Sequence, residues 1–473
     1  MMSTQIQLAV IGGGPGGYAA AFLAADLGMQ VTLIDLEKNP GGVCLYRGCI
    51  PSKALLHVAK LISEAEDAKK WGVDFGEPKI DLNRLRDFKN GVVNKLTGGL
   101  GQLTKQRKIN YINGRASFIN STTLSVAKED GTNEELIFEK AIIATGSVPA
   151  KIPGLSIDST RVMDSTSALD INDIPKRLLV IGGGYIGMEL STVYAALGSK
   201  VTVVEMLPGI LPGADRDLVA VLDRRVKSMM ENVFTETKVV ELKETSDGIK
   251  VRLEGSKVQE PEQTFDKVLI SVGRKPVTTG FGLEKTKVKI NDKGFIVVDN
   301  TLKTDDQNIY AIGDVVGNPM LAHKAAAEGK VAVEAILGHK IVFEPNAIPA
   351  VVFTDPELAW TGLSETEARE KEIKVEVAKF PWAASGRATT LDRNDGMTKL
   401  IIEPGTERIL GVGIVGVGAG DMIAEGTLAI EMGAVVKDLE LTIHPHPTLS
   451  ETMMAAAEVF YGRATDLYRP KRK

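Results

Sequence analysis

Two cysteines stand close together near the start of the chain, and they are the only cysteines among its 473 residues. Cys44 and Cys49 lie within residues 41–53, where a proline soon after Cys49 suits the first turn of a helix. The apolar residues that follow share one helix face, so we predict a helix that starts directly after Cys49. A helix N-terminus with Arg47 and Lys53 nearby favours a thiolate. The spacing therefore indicates dithiol–disulfide redox chemistry.

Three alternative roles for the cysteine pair stay open on the residues alone. A structural disulfide across so short a loop would stabilise the fold by only about 2 kcal/mol. A zinc site would require more ligands, and His57 is the one further candidate nearby. The third alternative is two unrelated buried cysteines. Redox chemistry is favoured over all three, and no metal site is predicted.

Two glycine-rich turns each follow a short apolar run, precede a helical pattern and lead to a second apolar run that ends on an acid. At such a turn the backbone can approach a pyrophosphate at the positive N-terminus of the helix, and the acid accepts hydrogen bonds from the ribose. The first copy consists of Gly12, Gly14, Gly17 and Asp35, and the second of Gly182, Gly184, Gly187 and Glu205. One chain is therefore predicted to carry two dinucleotide-binding folds.

The acid of the second copy also predicts which nicotinamide nucleotide is bound. A carboxylate accepts hydrogen bonds from a free 2'-hydroxyl and repels a 2'-phosphate. Glu205 is such a group, and residues 206–210 contain no lysine or arginine that could bind a phosphate. We therefore predict NAD rather than NADP at this site.

A histidine and a glutamate lie five residues apart in the sequence His-Pro-His-Pro-Thr-Leu-Ser-Glu near the C-terminus. An imidazole titrates near neutrality, so His446 could take a proton from a dithiol and return it. A carboxylate such as Glu451 on the second ring nitrogen would fix the tautomer. Most isolated histidines are surface or capping residues, so the residues alone leave the role of His446 open.

Length and charge exclude several classes of protein. A chain of 473 residues is long enough for three or four domains. Its net charge of -5 argues against a nucleic-acid surface. Only residues 469–473 are densely basic, and we expect a solvated terminus there. The chain has neither a long uninterrupted apolar run nor a secretion signal, so we predict a cytoplasmic protein with no membrane partner.

Further motifs accompany the cysteines, the glycine turns and the histidine. They are Ala144-Thr145-Gly146, Ser271-Val272-Gly273-Arg274-Lys275-Pro276, Ala311-Ile312-Gly313-Asp314, Met320-Leu321-Ala322-His323 and Phe380-Pro381-Trp382. Together these residues resemble the pyridine nucleotide-disulfide oxidoreductases over nearly the whole chain. Within that family they are most similar to the members that oxidise dihydrolipoamide.

The resemblance implies an α/β fold with two Rossmann-like dinucleotide-binding domains, for FAD and NAD, and a C-terminal α+β dimerisation domain. We expect the FAD domain to begin with residues 1–148 and the NAD domain to span residues 149–276. A central segment, residues 277–345, would complete the FAD domain. Residues 346–473 would form the interface of a homodimer.

The same resemblance implies roles for single residues. Cys44 would exchange with the substrate disulfide and Cys49 would contact the flavin. Lys53 and Glu189 would form an ion pair beside the flavin, although a solvated Lys53 stays open. His446 would be the acid–base group, with Glu451 as its partner. The remaining cofactor-binding residues implied are Gly42, Val43, Gly114, Ala116, Thr145, Gly146, Val239, Gly273, Arg274, Asp314 and Ala322.

Some details stay open. Gly114 and Ala116 are expected in a loop that meets the adenine, and Asp314 could instead be a helix N-cap. Tyr185 could be a lid over the nicotinamide or a packing residue. Tyr46 and Arg47, between the cysteines, depart from the usual residues of the family, which leaves the thiol potentials and the exchange rate open.

The resemblance also implies partners. They are the lipoyl-bearing and peripheral-subunit-binding domains of the E2 component of a 2-oxo acid dehydrogenase complex, or the H protein of glycine cleavage. Glutathione reduction is an alternative activity, against which Glu205 argues because it disfavours NADPH. A non-catalytic flavin-binding subunit is a second alternative, and it would not need the cysteines and the histidine together.

Overall fold

The first glycine-rich turn lies in a parallel sheet with an antiparallel extension. The computed structural model describes residues 4–155 and 157–468, so the basic tail predicted at 469–473 lies outside the described residues. The elements are β1 (Thr4–Ile11), α1 (Pro15–Asp26), β2 (Val31–Asp35), α2 (Gly42–Arg47), α3 (Cys49–Asp67), α4 (Leu82–Gln106), β3 (Asn110–Asn120), β4 (Thr123–Lys128) and β5 (Asn133–Ile143). Strands β2 and β5 flank β1 in parallel, β3 continues beside β2, and β3, β4 and β5 form an antiparallel meander.

The second glycine-rich turn lies in a second parallel sheet. Its strand order is β10-β9-β8-β14-β7, and a smaller antiparallel sheet of β11, β12 and β13 adjoins it. The elements are β6 (Ser147–Pro149), β7 (Val162–Asp164), β8 (Arg177–Ile181), α5 (Tyr185–Ala196), β9 (Lys200–Val204), α6 (Arg216–Met229), β10 (Asn232–Phe234), β11 (Lys238–Thr245), β12 (Gly248–Glu254), β13 (Glu262–Phe265), β14 (Lys267–Ile270) and β15 (Arg274–Pro276). Both sheets have strands buried on their two faces, which explains the continuous apolar runs that precede each turn.

The chain then returns to the first sheet. Strand β16 (Ile309–Ala311) pairs in parallel with β5, and α7 (Ala322–Ile336) packs against α1. The two helices approach closely, because a Cβ atom on Gly329 would lie 2.7 Å from the Gly16 oxygen. The first dinucleotide-binding sheet is thus built from two separate stretches of sequence.

The C-terminal part forms an antiparallel sheet with helices around it, in the strand order β17-β18-β21-β20-β19. Its elements are β17 (Ala350–Val352), β18 (Glu357–Gly362), α8 (Glu365–Glu370), β19 (Glu376–Pro381), α9 (Gly386–Thr390), β20 (Met397–Ile402), β21 (Ile409–Gly416), α10 (Ala419–Glu431), α11 (Val436–Leu441) and α12 (Glu451–Phe460). Trp382 is fully buried in the core of this part, and its indole N–H donates to the Thr398 hydroxyl at 3.0 Å. None of the helices in the described part of the chain combines the length and apolarity that crossing a bilayer requires.

A fully buried lysine joins the start of helix α6 to the C-terminal part. The Nζ atom of Lys399 on β20 lies 2.6 Å from Asp215, 2.8 Å from Asp217 and 3.0 Å from Glu365. These carboxylates lie close enough together to share a cation, and the ammonium group of Lys399 is that cation. Lys379, which is more exposed, pairs with Asp217 and Glu365 at 2.7 and 2.9 Å.

We expect Lys399→Met to lower the unfolding free energy by roughly 3 kcal/mol at neutral pH, since it leaves the buried Asp215 without its cation. The Lys399 ammonium and the backbone amides at residues 365 and 366 outweigh burial and lower the pKa of Asp215. A lowered carboxylate pKa stabilises the fold above the unfolded-state pKa, so the effect of the substitution should shrink as acid protonates Asp215. Urea unfolding at pH 7 and pH 4 measures this difference.

Lys379→Met is the matched control, because it removes the same charge from a partly exposed position of the same cluster. It should cost no more than about 1 kcal/mol. Equal losses for the two variants would contradict the importance of burial at Lys399.

Candidate active site

A cavity of about 470 Å³ lies at the carboxyl ends of the first parallel sheet, within the size range of small-molecule sites. Residues from the first sheet, from the cysteine-bearing stretch 41–53, from α5 and from the central segment line it. The predicted site residues in its wall are Gly12, Gly14, Asp35, Gly42, Val43, Cys44, Cys49, Lys53, Gly114, Ala116, Thr145, Gly146, Glu189, Arg274, Asp314 and Ala322. The fold thus brings the cysteines together with most of the residues predicted to bind FAD.

The first glycine turn requires glycine for steric reasons. Gly12 has a φ of +105°, and a Cβ atom there would lie 2.2 Å from the Ala144 oxygen. A Cβ atom on Gly17 would lie 1.8 Å from the Gly12 oxygen, so Gly17 lets α1 pack against β1 rather than lining the cavity. No side chain caps the N-terminus of α1, whose free N–H groups face the end of the sheet. The glycine turn and the uncapped N-terminus of α1 together form what we call the first cradle, which fits the pyrophosphate of a dinucleotide.

The acid of the first copy is fixed by backbone donors. Asp35 accepts hydrogen bonds from the amides of Gly13 at 2.5 Å and Glu37 at 2.8 Å. Burial raises the pKa of Asp35, although the Gly13 amide and the charge of Arg47 oppose that effect. Its position beside the glycine turn is the one predicted for an acid that binds a ribose.

The second turn repeats this geometry. Gly182 has a φ of +108°, and a Cβ atom on Gly187 would lie 2.0 Å from the Gly182 oxygen. Glu205 is buried and accepts hydrogen bonds from the amides of Gly183 at 2.7 Å and Leu207 at 2.8 Å. No side chain caps α5, which follows Gly184. The second fold therefore offers the same kind of cradle outside the large cavity.

Two further predicted residues of the second fold, Gly273 and Val239, do not line the large cavity. Gly273 follows β14 with a φ of +116°, and Val239 is buried in β11. Tyr185 lines the cavity while 42% of its surface stays exposed. Partial burial, then Asp314 and Cys49, raise the pKa of Tyr185 to about 12, so its hydroxyl is neutral at physiological pH.

The two cysteines lie on successive helices. Cys49 is the first residue of α3, so this helix starts one residue earlier than predicted, and Cys44 lies in the short helix α2, which was not predicted. Both are free thiols in the structure. A hydrogen bond from the Cys44 thiol, followed by the charge of Lys53, lowers the pKa of Cys49 to about 7, and the same hydrogen bond raises the pKa of Cys44. Cys49 is therefore the thiolate of the pair near neutral pH.

The expected ion pair beside the cysteines is present. The Nζ atom of Lys53 lies 2.8 and 3.0 Å from the two carboxylate oxygens of Glu189. Glu189 is almost fully buried and also accepts a hydrogen bond from the Phe353 amide at 3.0 Å. The Phe353 ring lies 4.6 Å from the Lys53 ammonium, within cation–π range. Lys53 is thus not a simple solvated residue, since three parts of the fold fix its position.

The prediction that Arg47 favours the thiolate is wrong. Arg47 forms an ion pair with Glu37, and Lys53 is the cation that lowers the pKa of Cys49. The reason is that Glu37 lies opposite Arg47 only in the folded chain, and its charge cannot be placed from the spacing of the cysteines.

Asp314 belongs to a hydrogen-bonded chain that the sequence did not reveal. The Ser147 hydroxyl donates to Asp314 at 2.5 Å and accepts from Arg274 at 2.7 Å. The alternative role of Asp314 as a helix N-cap is wrong, because Ile312 precedes the short 3-10 helix Gly313–Val315. Ser147 was missed, although it directly follows the Ala144-Thr145-Gly146 motif and thus stands beside a predicted site.

The prediction that Gly114 and Ala116 lie in a loop is also wrong. Both belong to β3, where Gly114 pairs with Lys128 and Ala116 with Val126 of β4. Alternation of buried and exposed residues makes this polar stretch a strand. They nevertheless line the cavity, because β3 passes beside the end of β2.

The predicted histidine pair forms away from the cavity. The Nδ1 atom of His446 lies 2.9 Å from Glu451, which also accepts from the Thr448 amide at 2.7 Å. Partial burial would raise the pKa of Glu451, but the hydrogen bonds from the Thr448 amide and His446 outweigh it and lower that pKa. The His446 side chain is 77% exposed and does not line the cavity of its own chain. His444 instead bonds to Glu425 at 2.8 Å.

Residues 6–329 match the family described as pyridine nucleotide-disulphide oxidoreductase. The chain belongs to this family. Residues 348–457 match the dimerisation domain of the same family. The predicted fold class, the enzyme class and the use of FAD and NAD are therefore confirmed.

Relatives in this family cover the full length of the chain. The dihydrolipoyl dehydrogenase of Vibrio cholerae is 47% identical over 474 residues, which cover 100% of this chain and 99% of that protein. The protein of the same name from Haemophilus influenzae is also 47% identical with the same coverage.

Solved structures of the family have the same fold. LpdA from Mycobacterium tuberculosis has a TM-score of 0.88 at 26% identity, over 96% of this chain and 99% of that one. The HOCl-induced flavoprotein disulfide reductase RclA from Escherichia coli has a TM-score of 0.85 at 29% identity, with the same coverage. The arrangement of two dinucleotide folds and a dimerisation domain is thus shared across members that differ widely in sequence.

Proposed function

We propose that this chain acts as a dihydrolipoyl dehydrogenase, which oxidises a dihydrolipoyl dithiol and reduces NAD. The observation that supports this most is 47% identity along the whole chain to proteins of that name. The cysteine pair at the wall of the dinucleotide cavity and the acid of the second turn agree with it.

The chemistry begins with thiol–disulfide exchange. A substrate thiolate attacks the sulfur of Cys44 in the oxidised pair, the Cys44–Cys49 bond breaks, and Cys49 leaves as a thiolate. The second substrate thiolate then attacks the mixed disulfide, which releases the oxidised substrate and leaves Cys44 reduced. His446 takes the proton that the substrate loses, and Glu451 holds its imidazole in the tautomer that can accept it.

The low pKa of Cys49 suits its place as the leaving thiolate, since a good leaving group speeds exchange. Re-formation of the Cys44–Cys49 disulfide, with loss of the Cys44 proton, releases the electron pair; FAD held beside Cys49 would supply the chemistry that carries this pair to NAD as hydride. Lys53 places a positive charge beside that thiolate, and Glu189 orients the lysine.

We assign FAD to the first cradle, with Gly12, Gly14 and Asp35, and NAD to the second, with Gly182, Gly184 and Glu205. The division at residues 148, 276 and 345 is part of the same proposal. The β6–β15 pairing supports it, because these strands pair at the first two of these boundaries.

The chain carries a dimerisation domain. We propose that His446 completes the active site of the second subunit in a homodimer. The exposure of His446 supports this, as do the large apolar side chains that the same domain exposes. They are Leu428, Met432, Leu441 and Ile443, with 62, 76, 67 and 94% of their surface exposed. Outside the dimer, the partner would be a lipoyl-bearing domain of an E2 component or the glycine-cleavage H protein.

Turnover with defined substrates tests the proposed function. We expect NADH to form from NAD with free dihydrolipoamide, and more efficiently with a reduced lipoyl domain or H protein. Glutathione disulfide with NADPH should give no turnover above background. The opposite pattern would replace the proposal with glutathione reduction, and no turnover with either pair would favour a non-catalytic flavoprotein.

We expect NAD to be preferred over NADP on the order of 100-fold in kcat/KM, because the Glu205 carboxylate would face the 2'-phosphate. Glu205→Ala should reduce that ratio at least about tenfold, mainly by improving KM for NADP. Glu231→Gln is the control, since it removes an acid from the surface of the same unit. A ratio unchanged by Glu205→Ala would contradict the assignment.

A further inference from the structure

Two of the residues between the cysteines, Tyr46 and Arg47, contact the same segment of the chain. Residues 36–40, which we call the β2–α2 segment, connect Asp35 to α2 and α3, the redox helices that carry the two cysteines. The Tyr46 hydroxyl donates to the Asn39 oxygen at 3.0 Å, and the Arg47 guanidinium pairs with the Glu37 carboxylate. Arg47 therefore pairs with an acid that lines the cavity close to Asp35, and Tyr46 bonds to the backbone of the same segment.

The β2–α2 segment is also held from its other side. The Glu37 backbone amide donates to the Asp35 carboxylate at 2.8 Å. The Glu37 backbone carbonyl accepts from the Tyr111 hydroxyl at 2.7 Å and from the Asn113 side-chain amide at 3.1 Å. These bonds come from β2 and β3, whereas Arg47 reaches the segment from α2. The segment is thus clamped between the first sheet and the redox helices.

Negative charges gather at this end of the cavity, and a nearby cation would offset their mutual repulsion. Asp35 and Glu37 both line it, and the diphosphate of a dinucleotide would add further negative charge. Lys53 is already paired with Glu189 elsewhere in the cavity. Arg47 lines the cavity beside both acids and is 41% exposed, so its guanidinium can neutralise Glu37 and still reach solvent or ligand.

We propose that Arg47, with Glu37 and Tyr46, is a positioning clamp that holds the β2–α2 segment in the shape that binds the adenosine half of FAD. The residues between the cysteines then control how tightly the flavin is retained. The inference goes beyond the proposed function, because neither the dihydrolipoyl substrate nor NAD enters it. It rests only on FAD as the cofactor.

Flavin binding to the apoprotein tests the clamp. We expect Arg47→Met and Glu37→Gln each to weaken FAD binding about tenfold, since each breaks a charge-assisted hydrogen bond. The double variant should bind FAD about as tightly as the more affected of the two single variants, because the two residues act as a pair. FAD affinity is measured by quenching of flavin fluorescence, with ADP as a competitor that carries only the adenosine end.

Two controls separate the clamp from general damage. Lys38→Met removes a positive charge from an exposed position in the same segment and should leave FAD affinity within about twofold. The melting temperature of the apoprotein should change little in the clamp variants, and their affinity for ADP should fall as far as that for FAD.

The proposal is overturned if FAD affinity is unchanged in Arg47→Met, or if Lys38→Met weakens it equally. It is also overturned if ADP does not compete with FAD, if ADP affinity stays constant while FAD affinity falls, or if the apoprotein melts at a much lower temperature. Each of these results leaves the dihydrolipoyl dehydrogenase activity to be judged by its own turnover assay.

Discussion

His446→Gln should lower kcat/KM for dihydrolipoamide by about 1000-fold, because a positioned acid–base group typically contributes 100- to 10,000-fold. Glutamine keeps a polar group near Glu451 but cannot take up a proton at neutral pH. His444→Gln is the matched control: His444 lies two residues away, pairs with Glu425 and is outside the proposed mechanism. Steady-state assays of both variants measure the difference, and equal losses would contradict the role of His446.

The same variant tests whether the sites are shared between subunits. In one chain the cysteines line the cavity and His446 does not, and the proposed shared site takes His446 from the second subunit. Cys44→Ser and His446→Gln chains with different affinity tags can be produced together, and dimers that carry both tags isolated. If sites are shared, each hybrid has one intact site and one with both lesions, so it should reach about half the turnover of the unchanged dimer.

A site built within a single chain gives the opposite result. Every site of the hybrid would then keep one lesion, and turnover would not exceed that of the two separate variants. Mass measurement of the doubly tagged dimers confirms that the hybrid formed.

Local patterns predicted much of the fold and of the site. The glycine turns were predictable because only glycine tolerates the contacts that Gly12 and Gly182 make with the backbone of a neighbouring strand. The start of α3 was predictable to within one residue from Pro51 and the apolar face that follows. These are short-range requirements, so they leave a direct mark in the sequence.

Contacts between distant segments account for the features that the sequence did not predict. Arg47 was expected to act on the thiols, but its partner Glu37 is brought to it by the fold. Gly114 was placed in a loop by the resemblance to the family, but the pairing of its segment with β4 makes it part of a strand. Phe353, from the C-terminal part, contacts both members of the Lys53–Glu189 pair, and no motif indicates this.

Cys49→Ala and Cys44→Ala should both abolish turnover, yet they should differ in their spectra. A thiolate at Cys49 beside the oxidised flavin should give a long-wavelength absorbance band, so Cys44→Ala should show the band and Cys49→Ala should lack it. In the two-electron-reduced protein with both cysteines, the band should grow as pH rises through about 7, the pKa of Cys49.

The Cys44 thiol is the main cause of that low pKa, since it donates a hydrogen bond to the Cys49 sulfur. Its loss in Cys44→Ala should raise the midpoint of the band by about one pH unit, while Lys53 still favours the thiolate. The rate at which iodoacetamide alkylates Cys49 in the apoprotein should follow the same shift without any flavin. A band in Cys49→Ala but not in Cys44→Ala would reverse the two roles, because the thiolate beside the flavin would then be Cys44.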